Sequence, residues 1–176
     1  AWTEAFVLSK AEAEAISDPI WIEPGFIVQG HLIAVVSEPN GGKTTILMYL
    51  AGRWSGKCSK VFYVNADTSA TDAKKMREQA GRAGFQLLLP DMKAGLSMMD
   101  VVANLEGMAK IGGDFTNVIM IFDTLKKMTD VINKSAAKSL YKTLRSLTAK
   151  GMTVLCLAHT NKYVGTDGKP IFESAF

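Results

Sequence analysis

The chain has 176 residues, 48% of them hydrophobic and 21% charged, which fits one soluble globular domain and is too short for two comfortable ones. No apolar run reaches the ~18 residues of a membrane span, and the acids Glu4, Glu12 and Glu14 argue against a secretory leader. The net charge of +3 neither demands nor excludes nucleic acid, and Cys58 and Cys156, without CxxC or histidine spacing, read as reduced core thiols of a cytoplasmic protein.

In chain order, residues 1–30 read as an N-terminal helix and a lead-in segment. Leu32 to Val36 is a short apolar run. After the polar stretch 37–44, apolar residues at Ile46, Leu47, Leu50, Ala51 and Trp54 follow helical spacing. Val61 to Val64 is a second apolar run. Ala73, Met76, Ala80 and Ala83 mark a second helix, with Ser69 or Thr71 as its start signal. Gln86 to Leu89, before Pro90, is a further short strand candidate. Ser97 to Asp100 reads as a capping box before Val101, Val102, Leu105 and Met108. Val118 to Phe122 is a third long apolar run. Ala137, Leu140, Tyr141, Leu144 and Leu147 form a last helical pattern, stopped by Lys150 and Gly151. Thr153 to Ala158 is the fourth run.

The four longer runs do not alternate polar with apolar residues, so they suit parallel strands covered on both faces. Strands alternating with helices of these lengths predict an α/β fold with a mostly parallel sheet. In such sheets ligands sit beyond the carboxyl ends of the strands. Those ends are polar here: Ser37–Thr44, Asn65–Asp67, Asp123–Thr124 and His159–Lys162.

Ser37-Glu38-Pro39-Asn40-Gly41-Gly42-Lys43-Thr44 follows a strand and opens a helix, close to the pattern GxxxxGK[ST]. Successive backbone N–H groups in such a loop wrap phosphates, and the helix N-terminus adds partial positive charge. Gly41 and Gly42 permit close backbone approach. Lys43 is expected to reach the β- and γ-phosphates, and Thr44 to place its hydroxyl on Mg²⁺. Ser37 replaces the first glycine, where a small residue suffices. The nucleotide-binding set is therefore Ser37, Glu38, Pro39, Asn40, Gly41, Gly42, Lys43, Thr44 and the adjoining Thr45. The ligands expected are ATP and Mg²⁺.

Two acids follow strands. Asp123, at the tip of Val118-Ile119-Met120-Ile121-Phe122, is placed to hold Mg²⁺ through water, opposite Thr44. Asp67 has two readings: it orients the water that attacks the γ-phosphate, or it caps the helix that follows. Thr68, Ser69 and Thr71 compete for the capping role. His159 stands where a side chain can touch the γ-phosphate and report its presence. His31 is assigned no chemistry.

Together these pieces resemble the RecA-like P-loop ATPase core, and most closely the group of hexameric replicative helicases and helicase-primases of plasmids and phages, with KaiC-like relatives. The matching residues are Trp21 to Thr45, Val61 to Asp67, Ile119 to Lys127 and Leu157 to Lys162. The resemblance implies that Lys43 and Thr44 are the Walker A pair, Asp123 the Walker B acid, and His159 the γ-phosphate sensor. Asp67 occupies the place of the usual catalytic glutamate, with a shorter side chain. Such enzymes complete their sheet after the sensor. Phe176 ends the sequence about seventeen residues past His159, so a truncated core or fragment is expected, as a single domain with its nucleotide-binding core at 31–162 and a mobile loop or hairpin at 163–176. The family also supplies an arginine or lysine from a neighbouring subunit. No arginine follows Arg145, and Lys162 and Lys169 are the late basic residues.

The resemblance further implies a ring-forming homo-oligomer, and the lack of a long apolar run implies no membrane partner. It places single-stranded DNA against the loops after Asp123 and His159, where Lys126, Lys127, Lys134, Lys138, Lys162 and Lys169 lie, with Gly165 and Gly168 for mobility. Taken as residues, these lysines are equally well read as solvated, and Tyr163 is the one aromatic among them. The leading expectation is an ATP-hydrolysing motor domain of a DNA helicase or helicase-primase acting in replication. The alternative is a nucleotide-switched regulatory or assembly module with little turnover. A kinase is a third reading, disfavoured by the lack of a lid-like arginine cluster.

Overall fold

The computed structural model describes residues 2–38, 41–57, 60–123 and 134–159, excepting the side chains of 134–136 and 159. Its centre is a five-stranded parallel sheet of β3 (Leu32–Ser37), β4 (Lys60–Asn65), β5 (Gln86–Leu88), β6 (Val118–Asp123) and β7 (Thr153–His159). Their order across the sheet is β3-β7-β6-β4-β5. β7, the last of the described strands, thus separates β3 from β6. A small antiparallel ladder, β1 (Trp21–Glu23) with β2 (Ile27–Val28), precedes the sheet.

Among the described residues five α-helices accompany the strands: α1 (Lys10–Glu14), α2 (Lys43–Ser55), α3 (Ala70–Ala83), α4 (Met98–Ile111) and α5 (Lys134–Thr148). Side chains alternate across a strand, so consecutive core residues go to opposite layers. Val61, Tyr63, Ile119, Ile121, Leu155 and Leu157 pack with Leu47, Leu50, Ala51 and Trp54 of α2 and with Met76 and Ala80 of α3. Val64, Met120, Phe122, Val154 and Cys156 pack with Val102 and Leu105 of α4 and with Leu140, Leu144 and Leu147 of α5. Both faces are apolar because both are covered, which explains the unbroken hydrophobic runs. Burial pushes the Cys156 thiol up to about 12, in keeping with an inert core cysteine.

The predicted elements are present, including the short strand before Pro90. At α3 the choice of start is resolved: Ser69 is the N-cap, and its Oγ accepts the N–H of Asp72 at 3.1 Å. At α4 the Ser97 N–H donates to Asp100 Oδ2 at 2.8 Å. After α5 the chain turns at Gly151, whose φ is +93°. The N-terminal stretch differs from a packed helix. It comprises a 3-10 turn at Trp2–Phe6 and the five-residue α1, and neither contains a buried residue.

One polar junction ties the β1–β2 ladder to the domain. Ile22 and Ile27 bury their side chains in the layer of α2. Beside them, Glu23 Oε2 accepts the indole N–H of the fully buried Trp54 at 3.1 Å, and its Oε1 lies 3.3 Å from the Arg53 guanidinium. The two contacts differ in worth. A buried donor left without an acceptor costs its desolvation, whereas a half-exposed ion pair is screened by water. Glu23→Ala is expected to lower stability by about 1–3 kcal/mol, against about 0–1 kcal/mol for Arg53→Ala. Urea unfolding of the two variants checks the difference.

Candidate functional site

The site lies where β3, β6 and β4 end and α2 begins. β3 ends at Ser37, which is in register with His159 of β7, and β6 ends at Asp123, in register with Asn65 of β4. Parallel strands with helical crossovers bring these carboxyl ends together, though they lie far apart in sequence.

The loop between β3 and α2 is shaped by two glycines with different tasks. Gly42 is the N-cap of α2 with φ +73°, ψ +10°, a left-handed conformation that a side chain disfavours. Gly41 is crowded: a Cβ there would come within 2.9 Å of Ser37 Oγ and 3.1 Å of Glu38 O. Pro39 and Asn40 lie outside the described residues. Thr45 is exposed on the first turn of the 13-residue α2.

Lys43, the first residue of α2, is buried. Its Nζ donates to Ser37 O at 2.9 Å, Ser37 Oγ at 2.8 Å and Glu38 O at 2.8 Å. Burial lowers its pKa, and the charge of Asp123 opposes that shift. Ser37, at the first-glycine position, thus contributes both its hydroxyl and its carbonyl to the lysine.

Asp123 is 5% exposed. Its Oδ2 accepts Thr44 Oγ1–H at 2.7 Å, Tyr63 O–H at 2.8 Å and Asn65 Nδ2–H at 3.4 Å. Tyr63 is the member that sequence reasoning missed, and Asn65 stood among the polar strand ends without a role. Their signal was parity: residues 63 and 65 share a strand face, and a phenol and an amide interrupt an otherwise apolar face near its polar end. Burial, followed by the negative charge of Asp123, raises the Tyr63 pKa strongly, so its phenol stays protonated and donates.

Asp67 lies two residues beyond β4 and is exposed, with its N–H donating to Asn65 Oδ1 at 2.8 Å. Ser69 fills the capping position that was the alternative role for Asp67. The backbone of His159 ends β7, but its side chain lies outside the description. Lys126, Lys127, Lys162, Lys169, Tyr163, Gly165 and Gly168, and the proposed mobile segment 163–176, also lie outside the described residues. So does the side chain of Lys134, whereas Lys138 is exposed on α5.

The donor set fits Mg²⁺ with a triphosphate. Mg²⁺ takes hard oxygen ligands, and binds through one or two carboxylates together with substrate phosphates rather than through an all-protein cage. Thr44 and Asp123 supply a hydroxyl and a carboxylate at one point, and a cationic Lys43 stands beside them at a helix N-terminus. The described residues contain no cluster of three or more His, Cys, Asp or Glu that would hold a metal by itself. They also contain no helix long and apolar enough to cross a membrane.

Removing Asp123 strands the buried Tyr63 hydroxyl. Asp123→Ala is therefore expected to lower stability by about 1–3 kcal/mol without any ligand. Adding Tyr63→Phe should recover much of that loss. Denaturant unfolding of the two single variants and the double variant measures the coupling.

The family model described as "AAA domain" matches residues 3–164. Among solved structures, the chain is similar to a unique ATP synthase subunit, NeqB, from Nanoarcheaum equitans, with a TM-score of 0.56 at 10% identity. That match covers 77% of this chain and 41% of the other, so the chain spans less than half of its structural neighbour. At this identity the likeness concerns the fold. No curated protein matches the sequence.

Proposed function

The chain belongs to the AAA domain family of P-loop ATPases, and from that premise we propose that it binds ATP with Mg²⁺ at the Ser37–Thr45 loop and hydrolyses it as the motor domain of a DNA helicase or helicase-primase. The observation that carries the nucleotide reading is the convergence of Lys43, Thr44 and Asp123 at the start of α2. The helicase reading rests on the ordered resemblance of Asp67, Asp123 to Lys127 and His159 to Lys162. The unit proposed is one domain with its core at 31–162, working as a ring in the cytoplasm.

Each residue has a task in this reading. The N–H groups at the start of α2 and the Lys43 ammonium bind the phosphates. Thr44 and Asp123 hold Mg²⁺, which when bound draws charge from the phosphate oxygens. Asp67 orients the attacking water and accepts its proton. His159 responds to the γ-phosphate. Lys126, Lys127, Lys134, Lys138, Lys162 and Lys169 neutralise the backbone of single-stranded DNA.

One observation favours a second reading. Asp67 is shorter than a glutamate and sits on an exposed turn, so a nucleotide-switched module with little turnover is the alternative. The test is ATP turnover with and without single-stranded DNA in the assembled full-length protein. The motor reading expects turnover stimulated by DNA, with stimulation falling as salt rises. Tight ATP binding with turnover near zero in both arms would establish the switch instead. Lys43→Ala is expected to weaken ATP binding by two orders of magnitude or more, from the loss of a buried charge contact of about 3 kcal/mol. Wild-type affinity in that variant removes the loop assignment.

A further inference from the structure

We propose that Tyr63 is a positioning residue for the divalent-cation site, holding the Asp123 carboxylate by one oxygen so that the acid presents a single orientation to magnesium bound with nucleotide. The proposal rests on the nucleotide reading above and extends it to a residue outside the phosphate loop and the Walker B strand.

The geometry is specific. Tyr63 is fully buried on β4, and its hydroxyl donates to Asp123 Oδ2 at 2.8 Å. The same oxygen receives Thr44 at 2.7 Å and Asn65 at 3.4 Å. β4 and β6 are adjacent, with Tyr63 in register with Ile121 and Asn65 with Asp123. The phenol therefore reaches forward along the strand by two residues to meet the carboxylate. Its ring is held by the α2 layer and lies 6.1 Å from the Phe85 ring. A phenol so packed has little freedom, so its hydroxyl is a fixed point.

Packing does not explain the oxygen. A phenylalanine would fill the same core volume without a hydroxyl to desolvate, and burying a hydroxyl is unfavourable unless it is partnered. Here the partner is the one acid assigned to the cation. An aspartate can rotate about its terminal torsion. Donors from β4 and α2 that meet on Oδ2 remove that rotation. Groups that orient a metal-binding carboxylate in this way commonly tune metal affinity. Asn65 extends the arrangement, because its Oδ1 accepts the N–H of Asp67 at 2.8 Å. The turn that carries Asp67 is thereby fastened to the same carboxylate.

The test is Tyr63→Phe in the full chain, read by binding of a fluorescent, non-hydrolysable ATP analogue. One titration varies Mg²⁺ at fixed analogue, and the other measures the analogue's affinity in EDTA. The Mg²⁺ midpoint is expected to rise about 10–100-fold, with the affinity in EDTA unchanged. An unchanged Mg²⁺ midpoint, or an equal loss in EDTA, overturns the positioning role and leaves the nucleotide site standing. Should the wild-type chain bind the analogue with no response to Mg²⁺, the magnesium reading itself falls, and the role of Tyr63 falls with it.

Discussion

The hydrogen bond from Thr44 to Asp123 is the constraint on which the site depends. It joins the first turn of α2 to the end of β6, across the position of β7 in the sheet. A buried carboxylate is costly in isolation and tolerable only when its lone pairs are used. Asp123 meets that condition with Thr44, Tyr63 and Asn65, and with the positive charge of Lys43 nearby. Among the described residues no buried side-chain nitrogen or oxygen lacks a partner. The polar centre is therefore part of the packed structure, continuous with the core on the α2 side of the sheet.

That core provides the rigidity. Leu47, Leu50, Ala51 and Trp54 anchor α2 against Tyr63, Ile121, Leu155 and Leu157. The position of the α2 N-terminus follows from this packing, and the loop inherits it. The helix has no side-chain cap at Gly42, so no capping side chain stands between its first turn and an anion. A side-chain cap would compete for the same donors. The absence of serine, threonine or aspartate at the N-cap is thus consistent with anion binding, and the left-handed glycine supplies the turn instead.

Much of this was legible in the sequence. The unbroken runs at 32–36, 61–64, 118–122 and 153–158 gave the strands because two-sided burial removes the polar alternation. Lys43, Thr44 and Asp123 could be read because each follows from local spacing beside a strand. The order β3-β7-β6-β4-β5 could not, since no local pattern states which strand a run pairs with. The contacts of Tyr63 and Asn65 with Asp123 were hidden for the same reason: they form across about 60 residues of chain. Glu23 was equally opaque, because its partners Trp54 and Arg53 lie on α2. Within the expected N-terminal helix and lead-in segment at 1–30, the helix is the five-residue α1, which buries no residue, and a short helix without packing has little to stabilise it.

The substitution of Ser37 for glycine follows from where Lys43 rests. An ammonium has three hydrogens, and Lys43 directs contacts of 2.8–2.9 Å to three loop oxygens, two of them on Ser37. A glycine would offer the carbonyl but not the hydroxyl. Serine therefore strengthens the hold of the loop on its own lysine. A phosphate that engages Lys43 must displace one of these contacts, each a charge-assisted bond to a neutral acceptor of about 1.5–3 kcal/mol. An anionic oxygen is the stronger acceptor for a cation, so the exchange favours the phosphate over water or neutral ligands. Gly41 belongs to the same arrangement, because the Ser37 hydroxyl occupies space that a Cβ at position 41 would need. Serine at the first position and glycine at the fifth are thus one structural choice.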